Sequence, residues 1–306
     1  IWWVEYANLS DIRVDTYPYS GKKFMAQWTC RLMEEYPNLN MVGEEWSMNP
    51  AVIAYWQKGK ENPDNYASCL PSLMDFPLNN ALISALNEEE GWGSGWINAY
   101  EALSNDFLYA DPNNLVIFPD NHDMSRFYTQ LNENYAHYKL GIAYILTMRG
   151  IPQIFYGTEI LMSHPGTDAH GAIRNDFPGG WPSDKKNAFT GEGLSEKRRE
   201  AQEYMQKLLN WRKQTPVIHN GQLTHFAPQN GVYVYFRYNK KNTVMVVLNK
   251  NKEKQMLELD RFSEILQPGT PAREIISGKT LTLDKQLEVP AKTPMILEEI
   301  GRASCR

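Results

Sequence analysis

The chain has 306 residues, 42% hydrophobic and 22% charged, with a formal net charge of −5. That composition is ordinary for a globular protein with a large core, in one large domain or a large and a small one. The acidic balance disfavours a nucleic-acid or anionic-membrane partner, and no apolar run approaches the roughly 18 residues of a membrane helix.

From the N-terminus, Trp2, Trp3, Tyr6 and Leu9 recur at helical spacing and predict the end of a helix over residues 1–10. The start Ile1-Trp2-Trp3 carries neither an initiator Met nor a signal segment, so it reads as internal to a longer protein. A short strand follows over 11–15. A helix is predicted over about 21–36, with Phe24, Trp28, Leu32 and Tyr36 on one face and Pro37 as its stop. The next strand is 40–44, and 47–69 is loop-rich. Cys30, Cys69 and Cys305 fit neither a disulfide framework nor a zinc site by number and spacing.

Residues 72–76 read as a buried strand and 78–89 as a helix. The glycines of 91–96 break the chain before a helical stretch to about 108. A strand over 115–118 leads into Asn121-His122-Asp123. A helix over 135–148 is punctuated by Gly150-Ile151-Pro152. Residues 154–156 read as strand and 157–193 as a long loop, and Ser195 is the N-cap of a helix to about 213. Five strands separated by helices imply a parallel sheet, either an open doubly wound one or the later part of an eight-stranded barrel. In both, chemistry sits at the carboxyl ends of the strands.

After Pro216 the period changes to two: Val232, Val234 and Phe236 alternate with Tyr233, Tyr235 and Arg237. Further short strands near 243–248, 255–259, 273–276 and 295–298 suggest a small antiparallel sandwich. The expected division is 1–215, a partial catalytic barrel, and 216–300, a β-sandwich. Residues 301–306 read as a non-native or disordered tail.

Three strand ends carry acids. Asp15 lies two residues beyond Arg13, on the same face of a strand. A nearby guanidinium favours the ionised carboxylate, as a nucleophile requires; the plainer reading is a structural ion pair. Glu44 follows Gly43, which permits close approach of a ligand or backbone. Val42 and Trp46 offer Glu44 the apolar surroundings of a general acid. Glu45 is its rival, since strand neighbours point to opposite faces. Asn121-His122-Asp123 places an imidazole beside a third acid, suited to vicinal sugar hydroxyls, with no second metal ligand at useful spacing. Two carboxylates in different settings plus a third are the minimum for glycoside hydrolysis.

These segments also carry a resemblance. Asp11-Ile12-Arg13-Val14-Asp15, Gly43-Glu44-Glu45-Trp46 and Phe118-Pro119-Asp120-Asn121-His122-Asp123 resemble, in order and spacing, three signature regions of the alpha-amylase family of glycoside hydrolases. The stretch from Gly150 to Glu159 looks like that family's last barrel strand. Arg174-Asn175-Asp176-Phe177-Pro178-Gly179-Gly180-Trp181 resembles a loop of its neopullulanase and cyclomaltodextrinase branch.

The resemblance implies a (β/α)8 TIM barrel, of which only about the fourth to eighth strand–helix units are present, followed by an antiparallel β-sandwich. By position, Asp15 matches the nucleophile, Glu44 the acid/base and Asp123 the carboxylate that holds substrate. Arg13 matches the arginine that orients the nucleophile, and His122 a substrate-binding companion. Arg174, Asp176 and the aromatics Tyr17, Trp46, Phe76 and Trp181 complete the expected substrate-binding set, the rings as stacking platforms. The implied activity is retaining hydrolysis of α-1,4-glucosidic bonds in malto-oligosaccharides, pullulan or cyclodextrins. The alternatives are an α-glucanotransferase using the same residues and a non-catalytic glucan-binding protein.

Two departures stand out. Asp11 replaces a usual Gly, and an upstream signature region and the first barrel strands are absent. The chain alone is therefore expected to be a fragment, poorly stable and inactive. No metal or cofactor is required by these residues; calcium is a prospect only for a longer parent. The parent is expected to be a homodimer, like many relatives, and periplasmic or cytoplasmic in a bacterium.

Overall fold

In this computed structural model the described residues are 1–301; the expected tail, from Arg302 onward, lies outside them. The described chain forms two compact units. One comprises Ile1–Ala81, Glu101–Phe118 and Gly150–Gln153; the other comprises Leu82–Tyr100, Pro119–Arg149 and the chain from Ile154.

The first unit holds β1 (Asp11–Val14), β2 (Asn40–Gly43), β3 (Ser72–Leu73), β4 (Val116–Ile117) and β5 (Ile151–Pro152). All pairings are parallel: Val14 sits opposite Gly43, Gly43 opposite Leu73 and Val116 opposite Ile151, with a single bridge from Met74 to Val116 joining β3 to β4. Each strand neighbours the next in the chain. A doubly wound sheet would reverse its order at a switch point, so this run is a barrel segment. Apolar side chains such as Ile12, Val14, Met41 and Val42 supply the strands.

Several local expectations shift. Helix Lys22–Glu35 buries Met25, Thr29 and Leu32, whereas Phe24 is exposed. The strand expected at 72–76 stops early because Asp75 Oδ1 accepts from the Leu78 amide at 3.0 Å. That caps a helix over Phe76–Asn87, whose Pro77 suits a first turn that needs no amide donor. The last strand is Ile151–Pro152 rather than 154–156. Gly150, at φ +101°, turns the chain so tightly that a Cβ there would lie 2.7 Å from the Leu115 carbonyl. The Ile151 and Gln153 amides then donate to Leu115 and Ile117, each at 2.8 Å, and the pairing ends.

The cysteine reading is also corrected. Cys30 and Cys69 form a disulfide across a sequence separation of 39. It ties helix Lys22–Glu35 to the segment entering β3, a proximity that cysteine number and spacing could not reveal.

In the second unit, helix Tyr135–Thr147 is buried along most of its length. Ser195 Oγ caps helix Glu196–Lys213 by accepting from the Arg198 amide. A short helix, Pro216–Asn220, precedes the antiparallel region. There β6 (Gln222–Gln229), β7 (Val232–Tyr238), β8 (Thr243–Asn249), β10 (Thr270–Glu274), β11 (Thr280–Leu283) and β13 (Thr293–Glu299) form one sheet, ordered β11-β10-β13-β8-β7-β6. Strands β9 (Gln255–Glu258) and β12 (Gln286–Val289) form a second. Val234, Phe236, Met245, Val247, Leu287 and Val289 fill the space between the layers. The alternating polar set of β7 is buried too: the Tyr235 hydroxyl meets Thr147 Oγ1 at 2.5 Å and the Tyr233 ring lies 5.8 Å from Trp96.

Candidate active site

The first unit supplies two acids from neighbouring strand ends. Register places Val14 beside Gly43, and the Glu44 amide donates to the Val14 carbonyl at 2.9 Å. Asp15 and Glu44 therefore leave β1 and β2 side by side. Arg13 spans them, Nη1 donating to Asp15 Oδ1 at 2.7 Å and Nη2 to Glu44 Oε1 at 2.5 Å. The second Glu44 oxygen accepts from the Thr16 amide at 3.1 Å, offered by a residue in left-handed conformation at φ 44°.

The two acids differ in setting. The Asp15 side chain is 64% exposed, whereas Glu44 is 4% exposed. Burying a carboxylate is costly unless it is paired and hydrogen-bonded; Arg13 and the Thr16 amide meet both conditions. These partners, rather than the expected apolar Val42 and Trp46, hold the Glu44 oxygens. The nearest oxygens of Asp15 and Glu44 lie within 4.8 Å. That spacing could accommodate a cation, but a guanidinium already bridges the pair.

Glu45 turns the other way. It accepts from Trp56 Nε1 at 2.9 Å, and burial raises its pKa above the usual carboxylate value. The permissive role expected of Gly43 proves to concern packing: a Cβ there would lie 2.7 Å from Leu70 Cδ2 and 3.1 Å from the Tyr17 ring. Two of the expected stacking platforms are corrected by burial. Tyr17 and Phe76 are 1% and 0% exposed, so their faces are spent on the protein. Phe76 instead supports Trp46, with ring centroids 4.5 Å apart. Trp46 and Trp181 remain 46% and 60% exposed and can present faces to a ligand.

The second unit supplies the other constellation. Arg174 Nη2 donates to Asp123 Oδ1 at 2.5 Å and Nε to the His122 carbonyl at 2.7 Å. His122 Nε2 lies 3.0 Å from Asp123 Oδ2, so both carboxylate oxygens are held. Asp176 Oδ2 accepts from Trp181 Nε1 at 2.7 Å, orienting that indole.

Sequence reasoning missed what lies behind this constellation. Asp120 is fully buried, accepting from the Phe127 amide at 2.7 Å and from Thr158 Oγ1 at 2.9 Å. Burial pushes its pKa up to about 6, although both donors favour the ionised form. Its unfolded value is about 3.9, so the folded state holds a proton that the unfolded state has lost between those limits. The resulting stability is present below about pH 4 and lost as pH rises through 6, an effect of order 3 kcal/mol. Asp120→Asn mimics the protonated acid. Denaturant titrations should find it more stable, relative to the parent, at pH 7.5 than at pH 4.5; a pH-independent difference would refute the assignment.

A model of the alpha amylase catalytic domain matches residues 11–259, and one of the cyclo-malto-dextrinase C-terminal domain matches residues 223–298. The chain is 26% identical over 275 residues to the cyclomaltodextrin glucanotransferase of Klebsiella oxytoca, covering 82% of this chain and 40% of that protein. It is 23% identical over 262 residues to the maltogenic alpha-amylase of Bacillus acidopullulyticus, covering 82% and 39%. It thus spans about two fifths of the length of these relatives. The alpha-amylase from Geobacillus thermoleovorans, solved with acarbose, shares the fold with a TM-score of 0.78 at 22% identity, over 99% of this chain and 62% of that one. The catalytic-domain match takes in all five parallel strands and the acids at their ends, and the chain therefore belongs to the alpha-amylase family.

Proposed function

We propose that the protein acts on α-1,4-glucosidic bonds by a retaining mechanism, with Asp15 as nucleophile and Glu44 as acid/base. The observation that carries this reading is the Asp15–Glu44 pair bridged by Arg13, with carboxylate oxygens within 4.8 Å. Retaining enzymes place their carboxyl groups about 5–5.5 Å apart, whereas inverting ones leave room for water at about 6.5–9.5 Å. Asp15 is exposed and can reach an anomeric carbon. Glu44 is enclosed beside it, and one of its two oxygens must give up its donor to carry the proton it delivers.

In the first step Glu44 protonates the glycosidic oxygen, the C1–O bond breaks, and Asp15 Oδ bonds to C1. In the second, Glu44 removes a proton from water, the hydroxide attacks C1, and Asp15 leaves as carboxylate. Arg13 stays cationic throughout and balances whichever carboxylate is ionised. Asp123, oriented by Arg174 and His122, holds substrate hydroxyls, and Trp46 and Trp181 offer stacking faces.

The cyclo-malto-dextrinase type of C-terminal domain supports a malto-oligosaccharide, pullulan or cyclodextrin substrate. The glucanotransferase relative favours a second reading, in which a sugar hydroxyl replaces water in the second step. Maltotriose separates the two. Hydrolysis yields glucose and maltose; transfer yields longer chains. Proton NMR of fresh products should show the α-anomer first, and initial release of the β-anomer would overturn the retaining assignment. On its own the 306-residue stretch should be inactive in this assay. Residues of β1, β2 and β5, including Arg13, Val42 and Ile151, line an open groove of about 330 Å³, space between β1 and β5 that no further strand fills among the described residues.

A further inference from the structure

Two arginines tie the segment carrying Asp123 to the chain around residue 174: Arg174 binds the acid, and Arg126 binds the backbone carbonyls of Ile173 and Tyr156. Arg174 comes from the turn ending the short helix His170–Ile173. It donates to the His122 carbonyl and to Asp123 Oδ1, and its Nη2 lies 2.8 Å from His170 Nδ1. Arg126 lies three residues beyond Asp123 and is fully buried. It runs the other way: Nε donates to the Ile173 carbonyl at 2.7 Å, and Nη1 donates to the Tyr156 carbonyl. Its guanidinium lies over the Phe155 and Tyr156 rings, 4.0 and 4.9 Å from their centroids.

Ile173 immediately precedes Arg174, so the carbonyl that Arg126 grips sets where the next side chain starts. Tyr156, gripped by the same guanidinium, donates from its hydroxyl to the Asn175 carbonyl at 3.0 Å, on the far side of Arg174. Arg174 is thus bracketed at residues 173 and 175 by contacts that trace back to Arg126. A fixed bidentate fork suits this task, since one planar group reaches two carbonyls at set angles; a lysine presents a single mobile point charge.

We infer that Arg126 is a positioning residue for the reaction. It touches no substrate; it fixes the His170–Asn175 turn so that Arg174 can orient the Asp123 carboxylate. The inference rests on the reading of Asp123 as the acid that holds substrate.

The test is a mutant cycle on the whole protein with a malto-oligosaccharide substrate, each rate normalised to folded enzyme by circular dichroism. Arg126→Met and Arg174→Met should each lower kcat/KM by about tenfold or more, and the double variant should be no worse than Arg174→Met alone, because both act through one contact. Arg126→Lys should recover part of the loss. Multiplying effects in the double variant, or an unchanged kcat/KM in Arg126→Met, would overturn the inference. If Arg126→Met does not fold, Arg126→Lys combined with Arg174→Met takes its place under the same criterion. Asp123→Asn separates the two claims. If it retains full activity, the role of Asp123 itself is wrong; if it collapses while the arginine effects multiply, only the role of Arg126 is wrong.

Discussion

In the whole protein, replacing Glu44 by Gln is expected to lower kcat on malto-oligosaccharides by about 10²–10⁴-fold, the usual contribution of a positioned general acid or base. The amide oxygen can still accept from one of these donors, Arg13 or the Thr16 amide, while its NH2 group faces the other, so some stability is lost but the fold should survive and KM should change little. The loss should depend on the leaving group. An aryl maltoside that departs without protonation should recover the first step, and azide, which needs no base, should recover the second. Asp15→Asn should not be recovered by the aryl maltoside alone, and any azide product it gives should be the β-anomer, because azide then attacks C1 directly, whereas Glu44→Gln should give the α-anomer through the Asp15 ester. Equal rescue of both variants would mean that the roles are misassigned. Removing Arg13 would not distinguish them, since it is bonded to both acids.

Loss of the Cys30–Cys69 disulfide should be the largest single loss of stability. The bond closes a loop with a sequence separation of 39, for which the chain-entropy relation gives about 4 kcal/mol. That is a large share of the roughly 5–15 kcal/mol that holds a typical domain. The bond also anchors a working wall of the site. Ser68, one residue before Cys69, lies 3.4 Å from the Tyr17 hydroxyl. Leu70, one residue after, packs over Gly43, which precedes Glu44. Urea titrations should show that reductant lowers the unfolding free energy of the parent by about 2–5 kcal/mol. The Cys30→Ser/Cys69→Ser variant should already lie at the lower value and ignore reductant. A change below about 1 kcal/mol would mean that the disulfide does not constrain the unfolded chain.

The candidate acids were legible because strands write their chemistry locally. A β-strand has a period of two, so Arg13 and Asp15 had to share a face while Glu44 and Glu45 had to part. The Arg13–Asp15 contact and the opposite partners of Glu44 and Glu45 follow from that rule. The parallel strands were legible for a similar reason, since apolar runs ending in acids and separated by helices bury themselves as parallel strands with crossovers; that pattern left barrel and open sheet equal, and the strand order separated them.

What the tertiary structure decided depends on separations that no local pattern encodes. Glu44 owes its partners to the register of β1 on β2, which brings Arg13 and the Thr16 amide to it from 31 and 28 residues away. Tyr17 and Phe76 have the composition of sugar platforms, yet whether a ring meets ligand or core depends on what folds over it, and both are buried. Cys30 and Cys69 look unpaired until the helix and the segment entering β3 pack together. Arg126 carries no motif: its partners are backbone carbonyls, which every residue possesses, so only their arrival at Ile173 and Tyr156 makes it a clasp.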